Sequence, residues 1–388
     1  MRIAFYAPLK PPGHPSPSGD RRMARLLIAA LRRAGHEVSL ASRLRSHDPG
    51  GDPARQRRIS AAGARLAAGL IAAWQSVPPS RRPQAWFTYH VYHKAPDWLG
   101  PAVSRALDIP YLVAEASYAP KRAGGPWDLG QRAAAAAIAA ADAIFVLNPA
   151  DRDCLLPLVD GPARLVALPP FIDTESYAAA AGRRAAGLAD STLGRRLGLD
   201  PAAPLLLAVA MMRPGDKLAS YRLLAEALEG LSERRWQLLI VGDGLARPAV
   251  AAAFAPLGRR VAYAGSLIGA ALIECYAAAD LYTWPAVSEA WGMTLLEAQA
   301  SGLPVVAGAE GGVPAVVADG VTGLVTPPRD VAAFRAAIAR LLDDPAGRTA
   351  MGLAAAARMA QHHDIAAAAR LLDETLRTVV AARRRRVA

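Results

Sequence analysis

Two glutamates stand eight residues apart in SEAWGMTLLEAQASGLPVV, residues 288–306: Glu289 and Glu297. Gly292 lies between them, and an apolar SGLPVV run follows. Glu289 falls in the segment leaving DLYTWP, which reads as a strand ending at Pro285, and a helix is expected to begin at about Gly292 to Thr294. First-turn N–H groups of a helix lack intrahelical partners and sit at the positive end of its dipole, which suits them to a phosphate. Gly292 would let an oxyanion approach the backbone closely. A carboxylate just beyond such a cradle can accept two hydrogen bonds from a ribose diol. One just before it can hold hydroxyls on whatever the phosphate carries. A second reading stays open, because Thr294 and Glu297 also have capping-box spacing, which needs no ligand.

Cations suited to the same chemistry follow the apolar run LLLAVAMM. There RPGDK places Arg213 and Lys217 in a loop at the strand's carboxyl end, where two positive charges would neutralise a diphosphate as charge builds on it. Lys217 is one of four lysines, with Lys10, Lys94 and Lys121, in a chain whose other basic residues are arginine. Near the start, PPGHPSPSGD is a loop long enough to reach into a cleft, with Gly19 before a helix. The Asp-x-Asp at Asp151–Asp153 follows LNPA at an expected helix start, so these acids read as dipole-favoured and no metal site is expected.

The elements that must position these residues alternate strand and helix. RIAFYAPL, HEVSLAS, QAWFTYHVY, PYLVAEAS and AIFVLN are apolar runs separated by helical or turn-rich stretches, the pattern of a parallel sheet covered on both faces. After ARLVALPPFIDTESY, the less apolar stretch 176–201 reads as a linker and the start of a second unit. That unit repeats the grammar with LLLAVAMM, RWQLLIVGDG, VAYAGS, DLYTWP, PVVAG and GLVTP. Two such units would create a cleft at the carboxyl ends of their strands. The boundaries expected are 1–175 and 176–365, with a helix at 366–388.

Of the 388 residues, 53% are hydrophobic and 20% charged, the balance of a folded protein. Cys154 and Cys275 form no disulfide framework or metal spacing and suit a reducing, cytoplasmic setting. Met1 opens directly onto a strand-like run, so no leader is expected, and no apolar run is long enough to span a bilayer. Residues 1–175 hold 22 Lys and Arg against 14 Asp and Glu, residues 176–382 hold 19 of each, and RRRR at 383–386 supplies the rest of the +12. A basic first half suits anionic lipid, nucleic acid or an acidic substrate, or is a solvated face. Aromatic residues are not interleaved with the arginines, which argues against nucleic acid.

SEAWGMTLLEAQASGLPVVAGAEGGVPAVVADGVTGLV resembles the signature region of family 4 retaining glycosyltransferases, as do SGDRRMARLLIAALRRAGHEV, LPPFIDTESY, LLIVGDG and YAAADLYTWP, across most of the chain. The resemblance implies the GT-B fold, an α/β architecture of two Rossmann-like parallel-sheet domains facing a cleft. It implies a first domain on the acceptor side, a second that binds the nucleotide-sugar donor, and a last helix returning to the first domain. By it, Glu297 holds the donor ribose, while Glu289 with the Gly292–Thr294 backbone holds the sugar and the diphosphate. Arg213 and Lys217 stabilise the leaving nucleoside diphosphate, and Gly19 lets the first domain's loop reach the same phosphates. Gly242, Trp291 and Met293 belong to the donor side, and no metal or other cofactor is required.

This chain departs from the family pattern in three places. Arg213 and Lys217 stand one residue closer than usual, Ala116 replaces a His after Glu115, and Ala315 replaces an acid in GGVPAVV. His90 or His93 of YHVYHK would substitute for the missing His, beside Glu115. The function expected is transfer of a sugar, with retention, from a nucleotide diphosphate sugar to a saccharide or lipid-linked acceptor hydroxyl in cell-envelope synthesis. A glycoside phosphorylase or sugar-nucleotide epimerase on the same fold is the alternative. The basic-then-apolar stretch 54–74 is expected to rest on an anionic membrane, giving peripheral attachment to its inner face.

Overall fold

A computed structural model describes residues 1–16, 18–181 and 192–387. The chain forms two compact units: Met1–Pro169 with the stretch from Ile365 onward, and Pro170–Asp364. The first break therefore precedes the expected 175/176 boundary, and residues 182–191 of the expected linker lie outside the described residues.

In the first unit the strands β1 (Arg2–Tyr6), β2 (Glu37–Leu40), β3 (Ala85–Val91), β4 (Tyr111–Ala116), β5 (Ala143–Val146) and β6 (Leu165–Ala167) form one sheet, ordered β2-β1-β3-β4-β5-β6. Every pairing is parallel. Parallel strands are buried on both faces, so β1, β3, β4 and β5 are near-continuous apolar runs. On one face Phe87 stacks with both Phe5 and Phe145, at 5.7 and 5.9 Å between ring centroids. Helix α1 (Gly19–Arg33) is capped by Ser18, whose side chain accepts from the Arg21 N–H, and buries Met23, Leu27, Ala30 and Leu31 at helical spacing.

The stretch 54–74 is part of helix α2 (Pro53–Gln75), capped by Asp52 with Pro53 in its first turn. Its apolar residues do not form an outward stripe. Leu70, Ile71 and Trp74 pack against the core, and Leu66 is the large apolar side chain left exposed. The outward face carries Arg55, Arg57, Arg58 and Arg65 among alanines. Helices α3 (Gly100–Leu107) and α4 (Asp128–Ala140) complete the part of this layer that bears on the site.

The second sheet comprises β7 (Leu205–Val209), β8 (Gln237–Val241), β9 (Val261–Gly265), β10 (Leu281–Trp284), β11 (Val305–Gly308) and β12 (Gly323–Thr326). Its order is β12-β11-β10-β7-β8-β9, again all parallel. Helices α5 (Asp216–Glu229) and α6 (Met293–Ala300) follow β7 and β10 and carry the candidate donor residues. The last helix, α7 (Ile365–Val387), packs on α1 with Leu372 and Leu376 fully buried. Arg383 bonds Asp108 and Asp142 where β4 and β5 begin, while the side chains of Arg384 and Arg386 lie outside the described set. Among the described residues no helix is long and apolar enough to cross a membrane.

Candidate functional site

In the second unit the β10–α6 loop does the positioning. Ala286, Ser288 and Gly292 all have positive φ, at 61°, 52° and 68°. Two of these are not glycine, and such backbone persists only where neighbours hold it. The Val287 N–H donates to Ser220 Oγ at 3.0 Å, and the Ser288 N–H donates to Glu310 Oε2 at 2.6 Å. Glu310 also accepts from Arg329 Nε at 3.2 Å, and the Gly312 N–H donates to the Ala290 carbonyl. Gly292 is the residue before α6, and among the described residues no side chain caps that helix. A Cβ at Gly292 would also stand 2.8 Å from Leu295 Cδ1. The first-turn N–H groups of α6, starting at Met293 and Thr294, are thus presented without a side-chain cap.

The capping-box reading fails here. Thr294 Oγ1 accepts from the Tyr282 hydroxyl at 2.7 Å, and Glu297 is 1% exposed on the inner face of α6. Glu297 lies beside Tyr276, whose hydroxyl is held well above its ordinary pKa by burial and by that carboxylate. Trp291, expected on the donor side, is 7% exposed and packs near Gly312.

Lys217, in the first turn of α5, forms an ion pair with Glu289, and its Nζ stands 5.5 Å from the Trp284 ring centroid. The two residues are 72 apart in sequence: Lys217 opens the helix after β7, and Glu289 lies in the loop after the adjacent strand β10. A cation at a helix N-terminus opposes the dipole, and the Glu289 carboxylate offsets this. Arg213 is exposed in the β7–α5 loop, its guanidinium 3.1 Å from Met211 Sδ. Gly242, expected on the donor side, has a backbone reason to be glycine: its φ is 146°, and a Cβ would lie 1.9 Å from the Ala210 carbonyl oxygen. Its N–H donates to Gly265, and Met212 N–H donates to Asp243, so the loops after β7, β8 and β9 are knitted together.

In the first unit Gly19 opens α1 with open space where a Cβ would be. The preceding loop is held by Arg21 on the His14 and Pro15 carbonyls, Arg25 on Pro12 and Arg45 on Leu9. His90 and Glu115, at the ends of β3 and β4, both have positive φ, at 67° and 60°. His90 Nδ1 is 3.2 Å from Asp20 Oδ1 and 3.8 Å from Glu115 Oε1. Burial opposes charge on His90, but Glu115, Asp20 and Asp151 outweigh it and raise its pKa to about 8. Burial raises Glu115, and burial together with Glu115 raises Asp151 to about 6. Asp20 is lowered: burial works against its charge, but the hydrogen bond to His90 prevails. His93 does not join this group; its ring meets Trp127 edge-on at 5.7 Å.

Sequence reasoning placed Lys217 and Glu289 in one site without pairing them, offered His90 or His93 alongside Glu115, and missed Asp20, Ser220, Tyr276 and Glu310. Asp20 alone left a legible signal, directly after Gly19 in SGD. Asp151, read as a dipole-favoured acid, does stand in the first turn of a short helical segment, Pro149–Asp151, and also interacts electrostatically with Glu115 and His90. No group of three or more His, Cys, Asp or Glu suited to a metal ion occurs among the described residues.

Residues 203–344 match the family model described as Glycosyl transferases group 1. The D-inositol 3-phosphate glycosyltransferase of Kineococcus radiotolerans is 37% identical over 264 residues, 63% of this chain and 58% of that protein. The chain thus spans less than two thirds of the length of such curated relatives. Among solved structures, sucrose-phosphate synthase of Thermosynechococcus elongatus superposes with a TM-score of 0.73 at 22% identity, covering 98% of this chain and 100% of that one. Anabaena Alr3699/HepE in complex with UDP gives 0.72 at 18%, covering 97% and 100%. At these identities the structural likeness establishes the fold, which is that of the GT-B glycosyltransferases.

Proposed function

We infer from the group 1 glycosyl transferase domain at residues 203–344 that the chain transfers a sugar from a nucleotide diphosphate sugar to an acceptor hydroxyl. The observation that carries this is the Lys217–Glu289 ion pair beside the uncapped start of α6. Departure of a nucleoside diphosphate builds negative charge on its phosphates. Lys217, Arg213 and the first N–H groups of α6 take up that charge with little reorganisation, so no metal ion is needed. Glu289 holds hydroxyls of the transferred sugar and Glu297 the donor ribose, which requires the nucleotide to reach a buried carboxylate. Retention at the anomeric carbon follows from the resemblance to family 4. On the acceptor side, His90 takes the place of the His missing after Glu115, with Asp20 and Glu115 setting its protonation.

A cell-envelope saccharide or lipid-linked acceptor, reached by peripheral contact with anionic membrane, fits the basic outer face of α2. The apolar burial of that helix leaves charge, not insertion, as the means of attachment.

The test is thermal shift with UDP-, GDP-, ADP- and TDP-sugars on the wild type and on Glu297→Ala. UDP comes first, because the Anabaena neighbour is described in complex with it. Stabilisation by one nucleotide series, weakened in the variant, supports the reading. No shift with any nucleotide sinks it.

A further inference from the structure

A second cluster stands beside the His90 group, at the same end of the first sheet. Lys94 Nζ and the Arg122 guanidinium both lie over the Trp127 indole, 5.0 and 5.4 Å from its ring centroid. His93 meets the same ring from the side. Trp127 is fixed in place, since its Nε1–H donates to the Asp48 carbonyl at 2.9 Å. Arg122 Nε and His93 Nε2 are buried and have no hydrogen-bond partner among the described residues. A buried donor without an acceptor is costly, and two cations gathered on one ring repel each other.

The nearby cations also act on the neighbouring imidazoles. Burial, then Arg45 and Lys94, hold the His47 imidazole below its ordinary pKa, and burial, then Arg122 and Lys94, do the same to His93. The carboxylates close by are committed elsewhere. Asp48 accepts from the Gly50 and Asp52 N–H groups and from Gln56 Nε2, with Arg55 at 3.9 Å. Asp128 accepts from the Gly124 N–H and pairs with Arg132. The arrangement has donors and positive charge in place for an anion.

A row of rings joins this cluster to the acceptor-side group. His90 to Tyr92 is 4.9 Å between centroids, Tyr92 to His93 is 5.3 Å, and His93 to Trp127 is 5.7 Å. We propose that Lys94, Arg122 and His93, set around Trp127, bind a phosphate group carried by the acceptor, while its reacting hydroxyl is presented at His90. The assignment to an acceptor rests on the glycosyltransferase reading. The phosphate belongs either to a soluble sugar phosphate or to a lipid headgroup, and both offer these residues the same oxygens.

Calorimetric titration of the full chain with glucose 6-phosphate and with glucose tests this, on the wild type, Lys94→Ala, Arg122→Ala and Arg122→Lys, with UDP titrated in parallel. The phosphorylated sugar should bind at least about tenfold more tightly than glucose, with an advantage that shrinks as salt rises. Each alanine variant should lose most of that advantage, Arg122→Lys should keep part of it, and UDP affinity should not change. Equal binding of the two sugars, or alanine variants that bind glucose 6-phosphate as the wild type does, overturns the proposal. Vesicles of phosphatidylcholine with phosphatidic acid distinguish the sources. If they displace glucose 6-phosphate the anion is a headgroup; if they do not, it is a soluble ester. A wild type that binds glucose 6-phosphate through these residues but no nucleotide would refute the glycosyltransferase reading and leave the anion site standing.

Discussion

Under the proposed sugar transfer, Lys217 is the residue on which departure of the nucleotide should depend most. It is half-buried, paired with Glu289 and set in the first turn of α5, so its charge is aimed and partly shielded from water. Replacing it with alanine should lower kcat by about 100- to 1,000-fold, the usual cost of one preorganised charge-stabilising donor. Arg213, exposed in the loop before α5, should cost less on the same steady-state assay. A loss for Arg213→Ala as large as that for Lys217→Ala would contradict this ranking. His90 makes a second prediction. Its pKa rises from about 6.5 unfolded to about 8 folded, so its contribution is fully present below pH 6.5 and lost as pH rises through 8. The shift corresponds to ~2 kcal/mol. Urea unfolding of the wild type and His90→Gln should differ by about that much near pH 6 and converge near pH 9. A difference that stays constant across this range would mean that Asp20, Glu115 and Asp151 do not hold the charged imidazole.

At the scale of elements, the β10–α6 loop is tied through two adjacent residues, Val287 and Ser288, to two other segments. Ser220 on α5 and Glu310 after β11 each accept one of its backbone N–H groups. Ser220→Ala should leave the Val287 N–H unsatisfied and destabilise the second unit by about 1–3 kcal/mol. The same change should lower kcat, because Glu289 belongs to that loop; denaturant unfolding alongside turnover would read both. Gly242→Ala forces a Cβ into the Ala210 carbonyl. Poor folding is expected, with a loss of roughly 1–3 kcal/mol or more at that backbone conformation. A stable, active Gly242→Ala protein would show that the β7 and β8 loops separate readily. The spacing of Glu289, Gly292 and Glu297 was legible because strand, loop and helix lie within twenty residues of sequence. The ties to Ser220 and Glu310 were not, since a serine and a glutamate carry no mark of which backbone N–H they will meet.

Across the whole molecule, α7 is a structural part of the first unit. Leu372 and Leu376 are fully buried, and His36 lies 3.2 Å from both the Met1 amino group and Asp373. Ending the chain at Asp364 exposes the apolar face of α1 that α7 covers, at about 25 cal/mol per Å². The truncated chain should lose cooperative melting of its first unit, and aggregation on heating should be read with it. Unchanged calorimetric melting would show that α7 adds little.

The repeated strand–helix grammar, the class of fold and the Glu289–Glu297 pair were readable from sequence alone. Buried parallel strands must be apolar throughout, and the two glutamates and the glycine between them lie within one short stretch of sequence. Only the tertiary structure turned the apolar residues of α2 inward, closed Lys217 onto Glu289, and separated His93 from His90. It also gathered Lys94 and Arg122 onto Trp127. Each of these depends on pairings between residues distant along the chain, where residue type is visible in the sequence but the partner is chosen by packing.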